Sequence, residues 1–120
     1  MKSVFIAGSR RFSTEIEKLD KLCKENGIKS FTAGKILNKE DTFQSEKSAL
    51  FRALHRIEIS DIVYVMARKG YVGKTVALEI AYAFSKKREI ISSEPIEDFS
   101  VRALVSKVMG HGELIKYAKG

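Results

Sequence analysis

The sequence predicts a single α/β domain, residues 1–120, built on a doubly wound parallel sheet of the Rossmann or flavodoxin-like type. Short apolar, β-rich runs alternate with segments of helical periodicity from end to end. Crossover helices between successive strands require right-handed connections and parallel strands. The length of 120 residues suits one compact domain and is too short for two. About four strands in the order 2-1-3-4 are the simplest arrangement of this kind.

The first strand is predicted over 3–7, an apolar run that ends at Gly8. A helix should follow, because Thr14 and Glu17 have the spacing of a capping box. The helix is expected to run to about Asn26, and Gly27 is a typical stop. A weaker second strand is predicted over 28–32.

A long helix is predicted next, opened by Asp41 or Thr42 and ending near Ile59. Its apolar residues recur at helical spacing: Phe43, Leu50, Leu54 and Ile57. The third strand is predicted over 61–66. Its continuous apolar run favours a strand that is covered on both faces.

The remaining elements continue the alternation. Thr75 is expected to cap a helix that ends near Lys86, and a fourth strand is predicted over 89–92. After Pro95, the pattern predicts a last amphipathic helix that begins at Glu97 or Asp98 and is ended by Gly110. The tail, 111–120, is expected to add a short helix.

Composition narrows the classes of partner. The net charge of +7 favours an anionic partner, but the 22 basic residues are scattered, so a nucleic-acid partner is not expected. No apolar run is long enough for a membrane span, and no signal-like segment follows the start, which favours the cytoplasm. Cys23 is the single cysteine, which excludes an internal disulfide and a cysteine-based zinc site. No metal or organic cofactor is implied.

The predicted topology locates the functional surface. Ligands of doubly wound sheets bind beyond the carboxyl ends of the strands, where the strand order reverses. Here the order reverses between the first and third strands. The turn 8–11 and the loop 67–74 are therefore expected to meet at this point.

The turn Gly8-Ser9-Arg10-Arg11 has the composition of an anion site. Glycine lets a backbone approach an anion closely, and a hydroxyl, free amides and guanidinium groups can then bind it. These residues therefore suit a phosphate. A plain tight turn with solvent-facing arginines is the alternative that the sequence leaves open.

The loop Gly70-Tyr71-Val72-Gly73-Lys74-Thr75 contains part of a P-loop pattern, but the pattern is incomplete. The first glycine of a P-loop would stand where the sequence has Arg68. A nucleoside triphosphatase is therefore not expected. Gly70 and Gly73 still allow a tight, backbone-rich loop over a ligand.

Glu79 is the candidate catalytic residue. It lies in the first turns of the helix that follows this loop, at the edge of the predicted buried stripe and near the strand ends. A carboxylate at that place can attack the anomeric carbon of a sugar or hold ribose hydroxyls. From position alone, a solvated surface glutamate is the alternative.

Two stretches of the sequence resemble a known superfamily. The strand 61–65 and the segment 70–83, which runs from the glycine loop through Glu79 to small and apolar residues, resemble the nucleoside 2-deoxyribosyltransferases, above all their small, mostly uncharacterised members. The opening Phe5-Ile6-Ala7-Gly8-Ser9-Arg10-Arg11 is similar to the start of the related deoxynucleoside 5′-monophosphate N-glycosidases. The resemblance covers roughly residues 3 to 92.

The resemblance implies a role for each matching residue. Glu79 matches the glutamate that attacks the anomeric carbon of the deoxyribose and releases the base. Gly8, Ser9 and Arg11 match the turn that binds the 5′-phosphate. Phe5 is nearest to an aromatic residue that contacts the sugar, and it lacks the hydroxyl of the tyrosine usual in this superfamily.

The sequence also departs from the superfamily. An aspartate that serves proton transfer to the base is replaced by Ala53 in an ungapped alignment, and a second aspartate of some transferases is replaced by Gly73. His55 is a conceivable substitute acid.

Two functions therefore remain open. One is an enzyme that cleaves or transfers the N-glycosidic bond of a (deoxy)nucleoside or its 5′-monophosphate; the other is a non-catalytic nucleotide-sensing module on the same fold. The resemblance also implies a homodimer, because such relatives commonly complete each other's sites across a dimer interface.

Overall fold

A computed structural model describes residues 1–34 and 42–120. Its centre is a parallel sheet in the order β2-β1-β3-β4-β5. The strands are β1 (Val4–Gly8), β2 (Ser30–Phe31), β3 (Ile62–Met66), β4 (Glu89–Ser92) and β5 (Lys107–Val108). The helices are α1 (Ser13–Glu25), α2 (Thr42–Glu58), α3 (Lys74–Ser85), α4 (Phe99–Arg102) and α5 (His111–Lys119).

The pairing of β1 with β3 forms the middle of the sheet. It runs in register over five residue pairs, from Val4 opposite Ile62 to Gly8 opposite Met66. At the amino ends, the Asp61 carboxylate accepts a hydrogen bond of 2.8 Å from the Ser3 amide. Asp61 thus braces the end of the sheet opposite to the expected site.

The helices cover both faces of the sheet, as a doubly wound fold requires. On one face, α1 and α5 pack with alternate residues of β1 and β3 around Tyr64. On the other face, α2 and α3 pack around Phe5, Val63 and Val65. Both faces of β1 and β3 are therefore buried, which explains their continuous apolar sequences.

The α/β class and the doubly wound parallel sheet are confirmed, but the sheet has five strands rather than four. The last helix, predicted to begin at Glu97 or Asp98 and to end at Gly110, is wrong in its length. Asp98 does cap a helix, through its carboxylate and the Val101 amide at 3.1 Å, but this helix ends at Arg102. The chain then forms β5, because the Ser106 and Met109 amides bond to the Ile90 and Ser92 carbonyls and cover the open edge of β4.

Two helix starts differ in detail from the sequence patterns, whereas the start of α2 at Thr42 is one of the two that were expected. A 3₁₀ turn over Arg10–Phe12 precedes α1, so Thr14 lies inside the helix and forms no capping box. Gly73, not Thr75, is the N-cap of α3. Thr42 begins α2, whereas Asp41 lies outside the described residues.

The buried face of α2 is narrower than its apolar pattern suggests. Ala49, Ala53 and Ile57 face the core, whereas Phe43 is 70% exposed. In the part of the chain that the structure describes, no helix is long and apolar enough to cross a membrane.

Gly70 is fixed by two independent constraints. Its φ is +79°, a left-handed conformation that residues with a Cβ rarely adopt. A Cβ at this position would also lie 2.7 Å from the Pro95 carbonyl oxygen and 2.8 Å from the Glu97 nitrogen. The Glu97 amide donates to the Gly70 carbonyl at 3.0 Å, so this glycine joins the loop after β3 to the segment after β4.

We expect Gly70→Ala to destabilise the fold by more than Gly27→Ala. Gly27 has a similar φ of +75° but no atom within 4 Å of the added Cβ, so it isolates the cost of the backbone conformation, about 1 kcal/mol. Crowding against backbone atoms should add roughly 1–3 kcal/mol at Gly70. Urea denaturation of both variants measures the difference. Equal losses would show that the loop after β3 moves aside without cost.

Candidate functional site

A cavity of about 850 Å³ opens at the carboxyl end of β1. Its wall is made by segments that follow three neighbouring strands: 8–17 after β1, 32–34 after β2, and 71–79 after β3, together with the first turns of α2. This is the reversal point of the strand order, because β1 lies between β2 and β3. The two stretches that the sequence analysis expected to meet do meet here.

Four of the predicted site residues line the cavity, and three do not. Gly8, Ser9, Gly73 and Glu79 belong to its wall. Phe5 is fully buried in the core between the sheet and α2–α3. Gly70 is also buried outside the wall, where it contacts the segment 95–97.

Arg11, the third residue outside the wall, reaches the cavity only through a neighbour. Its guanidinium carbon lies 4.3 Å from the centre of the Tyr71 ring, and Phe12 meets the same ring edge-on at 6.4 Å. Tyr71 lines the cavity. Stacking of this kind fixes the orientation of an aromatic ring, so Arg11 and Phe12 together hold one wall of the cavity in place.

Glu79 is a buried carboxylate in the cavity wall. It lies on the same side of α3 as Val76, Ile80 and Ala83, and it is 4% exposed, so the alternative of a solvated surface glutamate is wrong. No described residue forms a hydrogen bond or an ion pair with its carboxylate. Because no partner offsets the loss of solvation, burial raises the pKa of Glu79 to about 7.

Packing constrains the first residue of the turn after β1. A Cβ on Gly8 would lie 2.9 Å from Ile16 Cδ1 and 3.0 Å from Met66 Cβ, so β1, β3 and α1 can approach here only because the residue is glycine. The Ser9 hydroxyl accepts a long hydrogen bond from the Arg11 amide at 3.4 Å. Its O–H remains a donor that can face the cavity.

Arg10, rather than Arg11, lines the cavity. Its Nη2 lies 2.5 Å from Oε1 of Glu46, which also belongs to the wall. The sequence analysis missed Glu46. A signal was present: the first turns of the helix after β2 must lie at the carboxyl edge of a parallel sheet, and Glu46 stands in the second turn of that helix.

Two arginines of α2 support the wall that follows β2. The Arg52 guanidinium donates to the Ala33 carbonyl at 2.7 Å, and that of Arg56 donates to the Thr32 carbonyl at 2.5 Å. The segment 32–34 lies in the cavity wall, but the sequence analysis assigned it no role in the site.

Neither of the two positions that the sequence analysis considered for a general acid, 53 and 55, brings one into the cavity wall. Ala53 is fully buried in the core, and His55 is exposed on α2 and does not line the cavity. Over residues 1–34 and 42–120, no group of three or more histidine, cysteine, aspartate or glutamate side chains could hold a metal ion.

Comparison with known proteins gives matches among solved structures. No family model and no curated protein sequence matches the chain. A 2-deoxyribosyltransferase from the bacterium Bacillus psychrosaccharolyticus superimposes with a TM-score of 0.75 at 13% identity, over 96% of this chain and 91% of that one.

Two further solved structures cover nearly the whole chain. The CMP N-glycosidase BcmB of Clostridium botulinum matches with a TM-score of 0.65 at 18% identity, over 98% of both chains. A conserved protein from Enterococcus faecalis V583 matches with a TM-score of 0.65 at 15% identity, over 99% of this chain and 98% of that one. At such identities the likeness concerns architecture, and it agrees with the resemblance found in the sequence: the chain has the nucleoside 2-deoxyribosyltransferase-like fold.

Proposed function

We propose that the cavity binds a nucleoside or its 5′-monophosphate, and that Glu79 attacks the sugar to cleave or transfer the N-glycosidic bond. The observation that carries the proposal is a buried carboxylate without a charge partner in the wall of the cavity at the strand-order reversal. Burying a carboxylate in this way is costly, so such groups concentrate at functional sites. The structural neighbours include a 2-deoxyribosyltransferase and a CMP N-glycosidase, which supports the same class of chemistry.

The reaction would proceed in two displacements. The ionised Glu79 carboxylate forms a bond to the anomeric carbon while the carbon–nitrogen bond breaks, and the base leaves with the electron pair and takes up a proton. Water or a second base then attacks the same carbon and releases the carboxylate. Attack by water gives hydrolysis, and attack by a base gives transfer.

The environment of Glu79 suits a nucleophile. At a pKa of about 7, roughly half of the carboxyl groups are ionised at neutral pH. The ionised form has few solvating partners, so bonding to carbon relieves an unfavourable buried charge. A fully solvated carboxylate has no such advantage.

The other walls would position the substrate. The turn Gly8-Ser9 offers backbone amides and a hydroxyl for a 5′-phosphate, and we assign the cationic contact to Arg10, because Arg10 lines the cavity whereas the Arg11 guanidinium packs on Tyr71. Gly73 and Tyr71 form the side of the cavity beside α3, where the Tyr71 ring can contact the sugar or the base.

A non-catalytic nucleotide-sensing module is the second candidate function. The observation in its favour is Ala53, which packs in the core where relatives are expected to carry the aspartate that protonates the base. General acid–base assistance is typically worth ~10²–10⁴-fold in rate. Saturable nucleotide binding in calorimetry without release of free base would favour this candidate.

We also propose that two copies of the chain pack together through the outer surface of α2 and α3. The two helices lie against each other, and the Tyr82 hydroxyl of α3 donates to Glu58 of α2. Large apolar side chains are exposed on them: Phe43, Phe51 and Leu78 are 70%, 59% and 57% exposed. Several exposed apolar groups on adjoining helices are typical of an interface.

Glu79→Ala should abolish base release. Incubation with a panel of deoxynucleosides and their 5′-monophosphates, followed by chromatography of the free base, measures the rate. The loss should be on the order of 10³-fold or more, because no other group supplies the covalent step. Glu25→Gln, at the exposed end of α1, is the control and should retain full activity. Undiminished release by Glu79→Ala would refute the mechanism.

Glu79→Gln should stabilise the protein at high pH. The folded pKa of about 7 lies above the ordinary value of 4.5 for a glutamate, so the wild-type protein loses stability as the pH rises from about 4.5 through 7. A neutral glutamine avoids that loss, which amounts to roughly 3 kcal/mol at pH 8. Thermal denaturation at pH 4 and pH 8 measures it, and the advantage of the variant should grow between the two. An equal difference at both pH values would contradict the burial of an ionisable Glu79.

Phe51→Glu should shift the protein toward the monomer. A charge placed on the outer surface of α2 would be buried in the proposed interface at a cost of several kcal/mol. Phe99→Glu is a matched control, because Phe99 is 77% exposed on α4. Light scattering after size-exclusion chromatography gives the mass. A wild-type protein that is already monomeric would refute the proposed interface.

A further inference from the structure

An ion pair joins Arg10 and Glu46, two residues of the cavity wall. Arg10 lies two residues after the end of β1, and Glu46 stands in the second turn of α2. Their side chains meet at 2.5 Å, and both residues line the cavity with Gly8 and Ser9. The pair therefore joins two walls of the cavity next to the turn that would receive an anion.

The Glu46 carboxylate offers Arg10 the same chemistry that a phosphate would offer. A guanidinium presents a planar set of N–H donors that matches carboxylate and phosphate oxygens equally well. A phosphate at the Gly8-Ser9 turn would therefore compete with Glu46 for these donors.

The pair is weak enough to be exchanged. The Arg10 and Glu46 side chains are 68% and 45% exposed, and ion pairs at such exposure contribute little to stability. A phosphate monoester carries a charge of about −1.5 to −2 at neutral pH, more than one carboxylate. An anion of this kind can take Arg10 from Glu46, but it binds more weakly than it would to an unpaired arginine.

We propose that Glu46 is a specificity-determining residue, which competes with the 5′-phosphate of a ligand for Arg10 and so weakens the binding of nucleoside monophosphates without affecting nucleosides. This inference rests on the proposed function, because it concerns how the same cavity selects its ligand. An uncharged nucleoside leaves the ion pair intact. Glu46 therefore reduces the difference in affinity between nucleoside monophosphates and nucleosides that the basic turn after β1 would otherwise create.

A purely structural role of the pair predicts a different result. If the pair served only to tie α2 to the turn after β1, its removal would loosen the cavity for both ligands. If Glu46 competes with the phosphate, Glu46→Gln strengthens and Arg10→Gln weakens the binding of the monophosphate. Neither substitution changes the binding of the nucleoside. A comparison of two ligands that differ only in the phosphate therefore separates the two roles.

The test is calorimetric titration with 2′-deoxycytidine and with 2′-deoxycytidine 5′-monophosphate. All variants carry Glu79→Gln as well, so that turnover does not disturb the heats. Glu46→Gln should bind the monophosphate roughly 5-fold more tightly and the nucleoside as before. Arg10→Gln should weaken monophosphate binding by about 10-fold. In the Arg10→Gln background, Glu46→Gln should have no further effect.

Glu25→Gln is the matched control, because it changes the net charge by the same amount at the exposed end of α1. A gain in monophosphate affinity equal to that of the control would overturn the competition, as would an equal gain for both ligands or a gain that persists without Arg10. Each of these results would leave the proposed nucleotide site standing. Failure of every variant to bind either ligand would refute the proposed site and the competition together.

Discussion

The pairing of β1 with β3 is the constraint on which the site depends. Because these strands are joined over their whole length, Gly8 and Met66 end side by side at the same edge of the sheet. The chain then leaves the two strands in different directions: α1 packs on one face of the sheet and α3 on the other. The cavity is the space between α1 and α3 beyond the strand ends, and the residues after each strand form its walls.

The cavity imposes a conflict between stability and chemistry. Helix α3 must bury one side to complete the core, and the sequence puts Glu79 on that side among Val76, Ile80 and Ala83. An apolar residue there would improve the core, so the carboxylate has a cost that folding alone does not justify. Such local disagreement between sequence and fold is typical of functional positions in natural proteins.

Much of the architecture could be predicted, because strand and helix periodicities are strong in β1, β3, α1 and α3. The fifth strand could not be predicted: it has two residues, both exposed, and it forms because the edge of β4 offers backbone partners. Helical spacing of Val101, Leu104 and Val105 suggested a helix instead. Short edge strands are set by tertiary pairing rather than by their own pattern.

The site was predictable only at the level of segments. The turn after β1 and the start of α3 were placed correctly, since topology alone brings strand ends together. Which of two adjacent arginines enters the cavity was not predictable, because it depends on the 3₁₀ turn that directs Arg10 to the wall and Arg11 onto Tyr71. Glu46 was missed because no motif marks it; only the position of the first turns of α2 at the carboxyl edge of the sheet indicates it.

The support of the wall 32–34 by α2 has a mechanical consequence. Strand β2 pairs with β1 over only two residues, so the sheet holds this wall weakly. The guanidinium groups of Arg52 and Arg56 replace the missing ladder with side-chain bonds to the Ala33 and Thr32 carbonyls. A small axial slide of α2 would therefore drag this wall with it and change the width of the cavity. Because α2 itself contributes Glu46, Ala49 and Leu50 to the cavity wall, a shift of this one helix would move two sides of the cavity together.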